Sequence, residues 1–341
     1  MERASMRRST SLQVALDRYP LVDEWLQLLG NLGRSPATLD AYGRGVTHYL
    51  AYCTSSSVAA EAATLEDVSL YVRDLLPDGS AAVANSTLHQ RLTAIRLWYD
   101  HLIFQGLCSK NPVPRGQTST FRRIPDHAGF SRGLVARLIK LPHVPTEDEW
   151  LSILRAAASD TVRNRLMLAF AYYGALRRCE LVALRIDDLD FAHRLITLRA
   201  ETTKGKRSRV VCYSPAITSV LARHLQDSRS VAVNAGPLFR SVSDRNYGQP
   251  LTKWSWSKTV ERWATTAGVS GFSTHSLRHL RLTHLARSGW KLHELSTYAG
   301  HRDPKTTVVY LHLSGSDLSA RMAGSVAHID TRIGSQLFGD E

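Results

Sequence analysis

The sequence lacks the features that would place the protein outside the cytoplasm or in a membrane. Four cysteines are present, too far apart for a zinc knuckle or a redox pair: Cys53, Cys108, Cys179 and Cys212. The basic amino terminus has no apolar run typical of a secretory signal. The longest uncharged apolar run, residues 166–176, is too short to cross a bilayer. We therefore expect a soluble cytoplasmic protein with reduced thiols and no membrane partner.

Acidic residues are also scarce relative to basic ones. The chain carries 43 Lys and Arg against 30 Asp and Glu, a formal net charge of +13. This surplus predicts a polyanionic partner, with nucleic acid first and an anionic membrane second. The sequence contains neither a Gly-x-x-x-x-Gly-Lys-Ser/Thr phosphate loop nor an obvious acidic metal cluster. We therefore expect no cofactor and no metal ion.

Helical periodicity fills the first third of the chain. Ser35 before a proline and Thr64 in a capping box are typical helix starts, and four helices predict an all-α domain over residues 12–110. A proline-rich, basic stretch over residues 111–145 is interpreted as an interdomain linker with a short helix near 134–139. Contact with a phosphate backbone and a solvated basic loop are both compatible with its charge.

The remainder of the chain predicts a second, mixed domain over residues 146–314. A capping box opens it at Thr146, and two alternating segments, 195–199 and 209–213, predict a β-hairpin with a basic tip. Helical patterns resume after the hairpin and include one over Leu292–Ala299. Residues 315–341 carry apolar positions at helical steps, which predicts a tail helix that packs either on its own domain or on a neighbouring copy. The predicted fold class is therefore mainly α with a small antiparallel β-sheet in the second domain.

A tyrosine lies among potential phosphate ligands near the end of this domain. Tyr310 stands nine residues after His301 in the string AGHRDPKTTVVYLH. The upstream string THSLRH supplies His275 and Arg278, which share one helix face. Farther upstream, GALRRCEL supplies Arg177 and TTKGKRSRVV supplies Lys204, or alternatively Lys206. Together these residue types point to a site that cuts a nucleic-acid backbone with a tyrosine.

Such a cut requires an activated phenol and a stabilised phosphorus centre. Tyrosine has a pKa near 10, so only about a thousandth is ionised at pH 7. Nearby cations favour the phenolate and neutralise charge that develops on the phosphate. Arginines suit this task because each guanidinium can bind two non-bridging oxygens, and a lysine or histidine can protonate the leaving oxygen.

The motif series resembles that of the tyrosine recombinases, the phage integrase family. GALRRCELVALRIDDLD, the hairpin, HSLRH and AGHRDPKTTVVYLH stand in that family's order. The resemblance covers residues 146 to about 314, and the amino-terminal helices are similar to the family's SAM-like core-DNA-binding domain. It implies two domains that clamp duplex DNA from opposite faces.

The resemblance also implies a catalytic set: Arg177, Lys204, His275, Arg278, His301 and Tyr310. In it the arginines bind the scissile phosphate, the lysine protonates the departing 5′ hydroxyl, and the histidines bond the phosphate and assist proton transfer. The tyrosine forms a 3′-phosphotyrosyl link, and Glu180 is the acidic support. Further predicted DNA contacts are Lys206, Arg207, Arg209, Arg122 and Arg123.

Several neighbouring residues leave alternatives open. Arg178 could share or take the role of Arg177. His279 is interpreted as a structural residue or a minor phosphate contact, since no carboxylate completes a metal site with His275. Three tryptophans are interpreted as core or DNA-flanking packing: Trp254, Trp256 and Trp263.

The implied function is a site-specific DNA recombinase that exchanges strands through a Holliday junction. It could serve a mobile element as an integrase, transposon recombinase or resolvase. The implied partners are double-stranded recombination sites, three further copies in a homo-tetramer joined by the tail over 315–341, and an accessory directionality factor. The alternatives are type IB topoisomerase-like DNA relaxation and a non-catalytic DNA-binding protein of the same fold.

Overall fold

The computed structural model describes residues 10–114, 134–138, 143–203, 205–229 and 236–313. The chain divides into two compact units, residues 1–140 and 141–341. The described part of the first unit holds five α-helices: α1 Thr10–Leu16, α2 Pro20–Asn31, α3 Pro36–Ser55, α4 Leu65–Leu75 and α5 Asn85–Phe104. The four helices expected from periodicity are α2 to α5, and α1 adds a fifth.

Local sequence signals explain where the helices of the first unit begin. The Ser35 hydroxyl accepts a hydrogen bond from the Thr38 amide at the start of α3. Thr64 and Asp67 form a reciprocal capping box at the start of α4. Buried apolar side chains from all five helices form one core, in which the hydroxyls of Tyr49 and Tyr99 are 2.9 Å apart.

The helix expected near 134–139 is wrong for its described part, because residues 134–138 are not helical. The Asn85 side chain binds this segment instead. Its Nδ2 donates to the Ala136 carbonyl at 3.0 Å, and its Oδ1 accepts from the Leu138 amide at 3.0 Å. The backbone groups of Ala136 and Leu138 therefore form hydrogen bonds with the Asn85 side chain rather than within a helical turn.

The second unit combines helices with one small sheet. Its described helices are α6 Glu147–Ala158, α7 Val162–Tyr173, α8 Arg178–Val182, α9 Thr218–Arg229, α10 Lys253–Ala267, α11 Thr274–Arg287, α12 Leu292–Ala299 and α13 Lys305–Leu313. Its described strands are β1 Leu189–Asp190, β2 Leu195–Leu198 and β3 Arg209–Cys212. The sheet is antiparallel in the order β1-β2-β3, which confirms the predicted fold class.

The sheet and helices of the second unit share one core. Strand β2 pairs with β3 so that Ile196 lies opposite Val211, and both side chains are buried. Apolar side chains of α7, α10 and α11 complete this core. No helix within the described ranges is both long and apolar enough to span a lipid bilayer. The predicted tail helix, 315–341, lies outside the described residues.

Candidate active site

Helices α11 and α13 bring a buried phenol against a histidine. Tyr310 on α13 is only 2% exposed, and its hydroxyl lies 2.9 Å from Nδ1 of His279 on α11. The His301 ring lies parallel to the phenol ring, with 6.2 Å between centroids. The His275 ring contacts the His279 ring edge-on, with centroids 4.3 Å apart. Three histidines and one tyrosine therefore form a single cluster.

A cap at Ser273 fixes the face that α11 presents to this cluster. The Ser273 hydroxyl accepts hydrogen bonds from the His275 and Ser276 amides and so defines the first turn. From that start, the three- and four-residue spacings place His275, Arg278 and His279 along one side of the helix.

Arg278 is a buried cation that joins two segments of the pocket. It is 1% exposed, and its guanidinium donates to the carbonyl of Ala175 at 2.6 Å and to that of Ala299. Ala175 has a positive φ of 47°, an uncommon conformation for a residue with a side chain that costs roughly 1 kcal/mol or more. Burial, and then the charge of Arg177, lower the pKa of Arg278 to about 9, so it stays charged at neutral pH.

A fully buried carboxylate organises the other cations. Glu180 is 0% exposed and accepts from both Nη atoms of Arg209, at 3.0 and 2.7 Å. It also accepts from the Arg177 guanidinium at 2.8 Å and from the Arg177 amide at 2.9 Å. Burial alone would raise the pKa of Glu180, but the bonds and charge of Arg209 and Arg177 outweigh it and hold that pKa near 2.

The same arginines reach the loop that carries His301. Arg177 Nη2 donates to the Gly300 carbonyl at 3.2 Å, and Arg209 Nε donates to the Tyr298 carbonyl at 2.9 Å. Gly300 ends α12 with a φ of 62°, and a Cβ there would stand 2.9 Å from Arg209. A glycine is therefore required both for the turn and for the close approach of the arginine.

The electrostatics of the resting pocket favour a neutral His279, a neutral His301 and a neutral phenol. Burial, followed by the charges of Arg278 and Arg177, lowers the pKa of His301 to about 3. Burial, then His275 and Arg278, lower the pKa of His279 to about 4. Burial raises the pKa of Tyr310, and the two arginines offset this only in part. The pocket thus combines a protonated phenol with permanent positive charge.

The structure also distinguishes the two adjacent arginines at the start of α8, Arg177 at its N-cap and Arg178 in its first turn. Arg177 faces the pocket through Glu180, whereas Arg178 donates to the Ser257 hydroxyl at 3.1 Å and lies 5.1 Å from the ring centroid of Trp254. Trp254 is 62% exposed and also carries the Lys253 ammonium over its ring at 5.4 Å. The other two tryptophans singled out above, Trp256 and Trp263, are buried core residues.

The structure brings some of the predicted site residues together but not all of them. It brings Arg177, His275, Arg278, His301, Tyr310 and Glu180 into one pocket. Lys204 and the linker arginines Arg122 and Arg123 lie outside the described residues. Lys206 and Arg207 are exposed near the hairpin tip. The DNA contact predicted for Arg209 stays a prediction, and the bonds of its guanidinium to Glu180 indicate a supporting role.

The sequence did not predict the hydrogen-bond partners of two residues in the pocket, His279 and Arg209. His279 bonds to the tyrosine, and its position four residues after His275 on the same helix face was the available signal. Arg209 pairs with Glu180, and only the hairpin register could have indicated that contact.

Within the described ranges, no group of three or more His, Cys, Asp or Glu side chains could hold a metal ion.

Comparisons with known proteins identify relatives of this chain. The chain is 28% identical over 283 residues to the tyrosine recombinase XerC of Pelobacter propionicus, covering 82% of this chain and 86% of the relative. It is 26% identical over 303 residues to the tyrosine recombinase XerD of Listeria innocua, covering 86% and 94%. The matched regions extend over both units of the chain.

Solved structures show the same fold. The XerH site-specific recombinase bound to a palindromic difH substrate matches with a TM-score of 0.64 at 19% identity, covering 84% of this chain and 79% of that one. The Tn1549 transposon integrase with transposon right end DNA also gives 0.64, at 18% identity and 89% and 97% coverage. The profile of the phage integrase N-terminal SAM-like domain matches residues 22–106, and that of the phage integrase family matches residues 144–316. The chain belongs to the phage integrase family.

Proposed function

We propose that this protein is a site-specific DNA recombinase that cuts and rejoins DNA through Tyr310. The observation that carries the proposal is the burial of Tyr310, which is 2% exposed, in a pocket where the charges of Arg278 and Arg177 act on its hydroxyl. Buried guanidiniums favour the binding of a phosphate at that hydroxyl. The names of the relatives, tyrosine recombinases XerC and XerD, support the same activity.

The reaction follows from the charges in the pocket. The scissile phosphate enters beside the arginines, and the phenol oxygen of Tyr310 attacks phosphorus. The new bond is a 3′-phosphotyrosine, and the bond to the 5′ oxygen breaks. Lys204, which lies between β2 and β3 in the sequence, protonates that leaving oxygen. Loss of one preorganised donor typically costs a few hundredfold in rate, so the arginines can carry much of the acceleration.

Rejoining uses the energy stored in the phosphotyrosine. A 5′ hydroxyl from a second duplex attacks the phosphotyrosine and releases Tyr310, which exchanges strands and leads to a Holliday junction. A topoisomerase would reseal the same strand instead. The names of the relatives favour recombination. The sequence lacks none of the residues predicted for catalysis, which disfavours a non-catalytic protein.

Duplex DNA is the substrate of this proposal, and basic residues outside the pocket would follow its backbone. Lys206 and Arg207 are exposed near the hairpin tip, where they can contact phosphates that flank the cut. Arg122 and Arg123 extend the positive charge into the linker. The net charge of +13 predicts strong salt dependence of binding.

The tail over 315–341 is proposed to hold the recombining tetramer together by docking on a neighbouring copy. Removal of the residues after Ser316 should abolish the pairing of two DNA sites while binding to a single site persists. Gel-shift titration separates these species by size. A truncated protein that still recombines normally would contradict the proposed role of the tail.

Covalent trapping tests the proposed function. Binding sites are first selected from a random duplex library and then nicked near the cut position, so that the released fragment diffuses away. The wild type should accumulate a denaturant-resistant protein–DNA adduct, and Tyr310→Phe should form none. Tyr247→Phe, a change at an exposed tyrosine, is the matched control and should behave as wild type. An adduct that persists in Tyr310→Phe would refute the nucleophile assignment.

A further inference from the structure

The hydrogen bond of the Tyr310 hydroxyl identifies a group that the motif series does not explain. Among the described residues, the phenol oxygen is bonded to His279 Nδ1 at 2.9 Å. A general base must lie within about 2.6–3.2 Å of the heavy atom that carries the proton it removes, and the distance from Nδ1 to the phenol oxygen is within that range. The two residues come from different helices, 31 positions apart, so the contact is tertiary and not a consequence of local helix geometry.

The other two histidines of the cluster are less well placed for this role. His301 Nδ1 bonds to the Thr307 hydroxyl at 2.8 Å, and its ring lies parallel to the phenol ring rather than edge-on to the hydroxyl. The His275 ring packs against His279. Both can bind the phosphate while His279 holds the attacking oxygen.

We propose that His279 accepts the proton of Tyr310 as the phenol oxygen attacks phosphorus, which rests on the function proposed above. The Tyr310 O–H bond breaks, and its proton goes to the lone pair of Nδ1 in the tautomer that carries hydrogen on Nε2. The oxygen–phosphorus bond forms as the bond to the 5′ oxygen breaks, and a separate donor protonates that oxygen. On rejoining, His279 returns its proton to the departing phenolate.

The surroundings of His279 link this transfer to the arrival of DNA. The groups that face it are His275 and Arg278 on α11, His301 after α12 and Tyr310 on α13. With the phosphate absent, burial and the Arg278 charge lower the pKa of His279 to about 4, so it is unprotonated but a weak base. The negative phosphate neutralises part of this positive charge and makes protonation of His279 easier. The nucleophile is therefore activated where a phosphate is present to be attacked.

Three substitutions separate proton transfer from simple positioning. In His279→Asn, Oδ1 occupies nearly the place of Nδ1 and still accepts the phenol hydrogen bond, but an amide cannot take the proton. His279→Ala removes both functions. His293→Ala changes an exposed histidine of the same unit and is the control. Melting temperature and DNA affinity are measured for each, so that rates are compared only between folded, DNA-bound proteins.

The readout is the single-turnover rate of adduct formation on the nicked site. We expect both His279→Asn and His279→Ala to be slower than wild type by about 10²–10⁴-fold, the usual contribution of a general base. Between pH 6 and 8 the wild-type rate should be nearly flat, whereas the rate of His279→Ala should rise about tenfold per pH unit, because hydroxide must then remove the proton. His279→Asn within tenfold of wild type, or a flat profile for His279→Ala, would overturn the proposal.

A more acidic tyrosine at position 310 gives a second test, which does not depend on the folding of a single variant. Difluorotyrosine at position 310 is a stronger acid than tyrosine and needs less help from a base. It should accelerate His279→Ala at least tenfold more than it accelerates the wild-type background, and equal effects in both would overturn the proposal. If the wild type itself forms no adduct, the proposed function fails, and that outcome is distinct from a loss confined to the His279 variants.

Discussion

Replacement of Glu180 by glutamine should destabilise the second unit strongly, even though the side chain keeps its size. The carboxylate is fully buried and accepts two hydrogen bonds from Arg209 and two from Arg177. Glutamine removes the negative charge and presents an NH₂ group to guanidiniums that can only donate. Because unpaired buried cations remain, we expect a loss of about 3–5 kcal/mol in the free energy of unfolding at pH 7.

The pKa of Glu180 gives an independent magnitude and a pH signature. That pKa is about 2 in the folded protein against an ordinary value of 4.5, a difference that corresponds to about 3 kcal/mol. A lowered folded pKa stabilises the protein above the unfolded value, and this contribution is lost as the pH falls from about 4.5 to about 2. Glu180→Gln should lack this part of the acid-induced loss.

The assay is urea denaturation read by pulsed hydrogen exchange and mass spectrometry, because peptides from each unit then report separately. Glu201→Gln is the matched control, since its side chain is 68% exposed and contacts Arg199 only at 3.7 Å. We expect the control to change stability by less than about 0.5 kcal/mol. If Glu180→Gln were within about 1 kcal/mol of wild type at pH 7, the organising role assigned to this carboxylate would be refuted.

Three further substitutions test other contacts of the site. Gly300→Ala should slow adduct formation at least tenfold, because its Cβ would displace the neighbouring arginine; Gly268→Ala, also a helix end with positive φ but with open space around it, should leave the rate unchanged. Thr307→Val should slow the same step about tenfold without loss of DNA affinity, since it removes the hydroxyl bonded to His301. Trp254→Ala should weaken DNA binding about tenfold in gel-shift titrations, because an exposed ring flanked by two cations suits a nucleic-acid surface.

The parts of the fold that sequence predicted are those governed by local chemistry. Helix α12 was expected over Leu292–Ala299 and has these bounds, because Gly300 ends it and an apolar stripe defines its face. The capping boxes at Thr64 and Thr146 likewise set the starts of α4 and α6. Strand β1 has two residues and helix α8 has five, so neither is long enough to produce a periodic pattern.

In the site, likewise, the sequence could assign residues that lie in short motifs but not residues whose roles depend on tertiary contacts. Tyr310, Arg278 and His301 could be recognised because short strings surround them. Arg209 looked like one of several hairpin cations, and only its place at the start of β3 turns it toward Glu180. His279 could be seen to share a face with His275, but its partner lies on a helix 31 residues away.

The central claim is that the Tyr310 oxygen becomes the covalent link to DNA. The most direct measurement is digestion of the trapped wild-type adduct with trypsin, which cleaves after Lys305 and Arg321. Mass spectrometry then identifies the nucleotide-bearing peptide. We predict that the mass falls on the peptide spanning residues 306–321 and that fragmentation places a 3′-linked phosphate on Tyr310. A nucleotide attached to any other residue, or one linked through its 5′ end, would contradict the account.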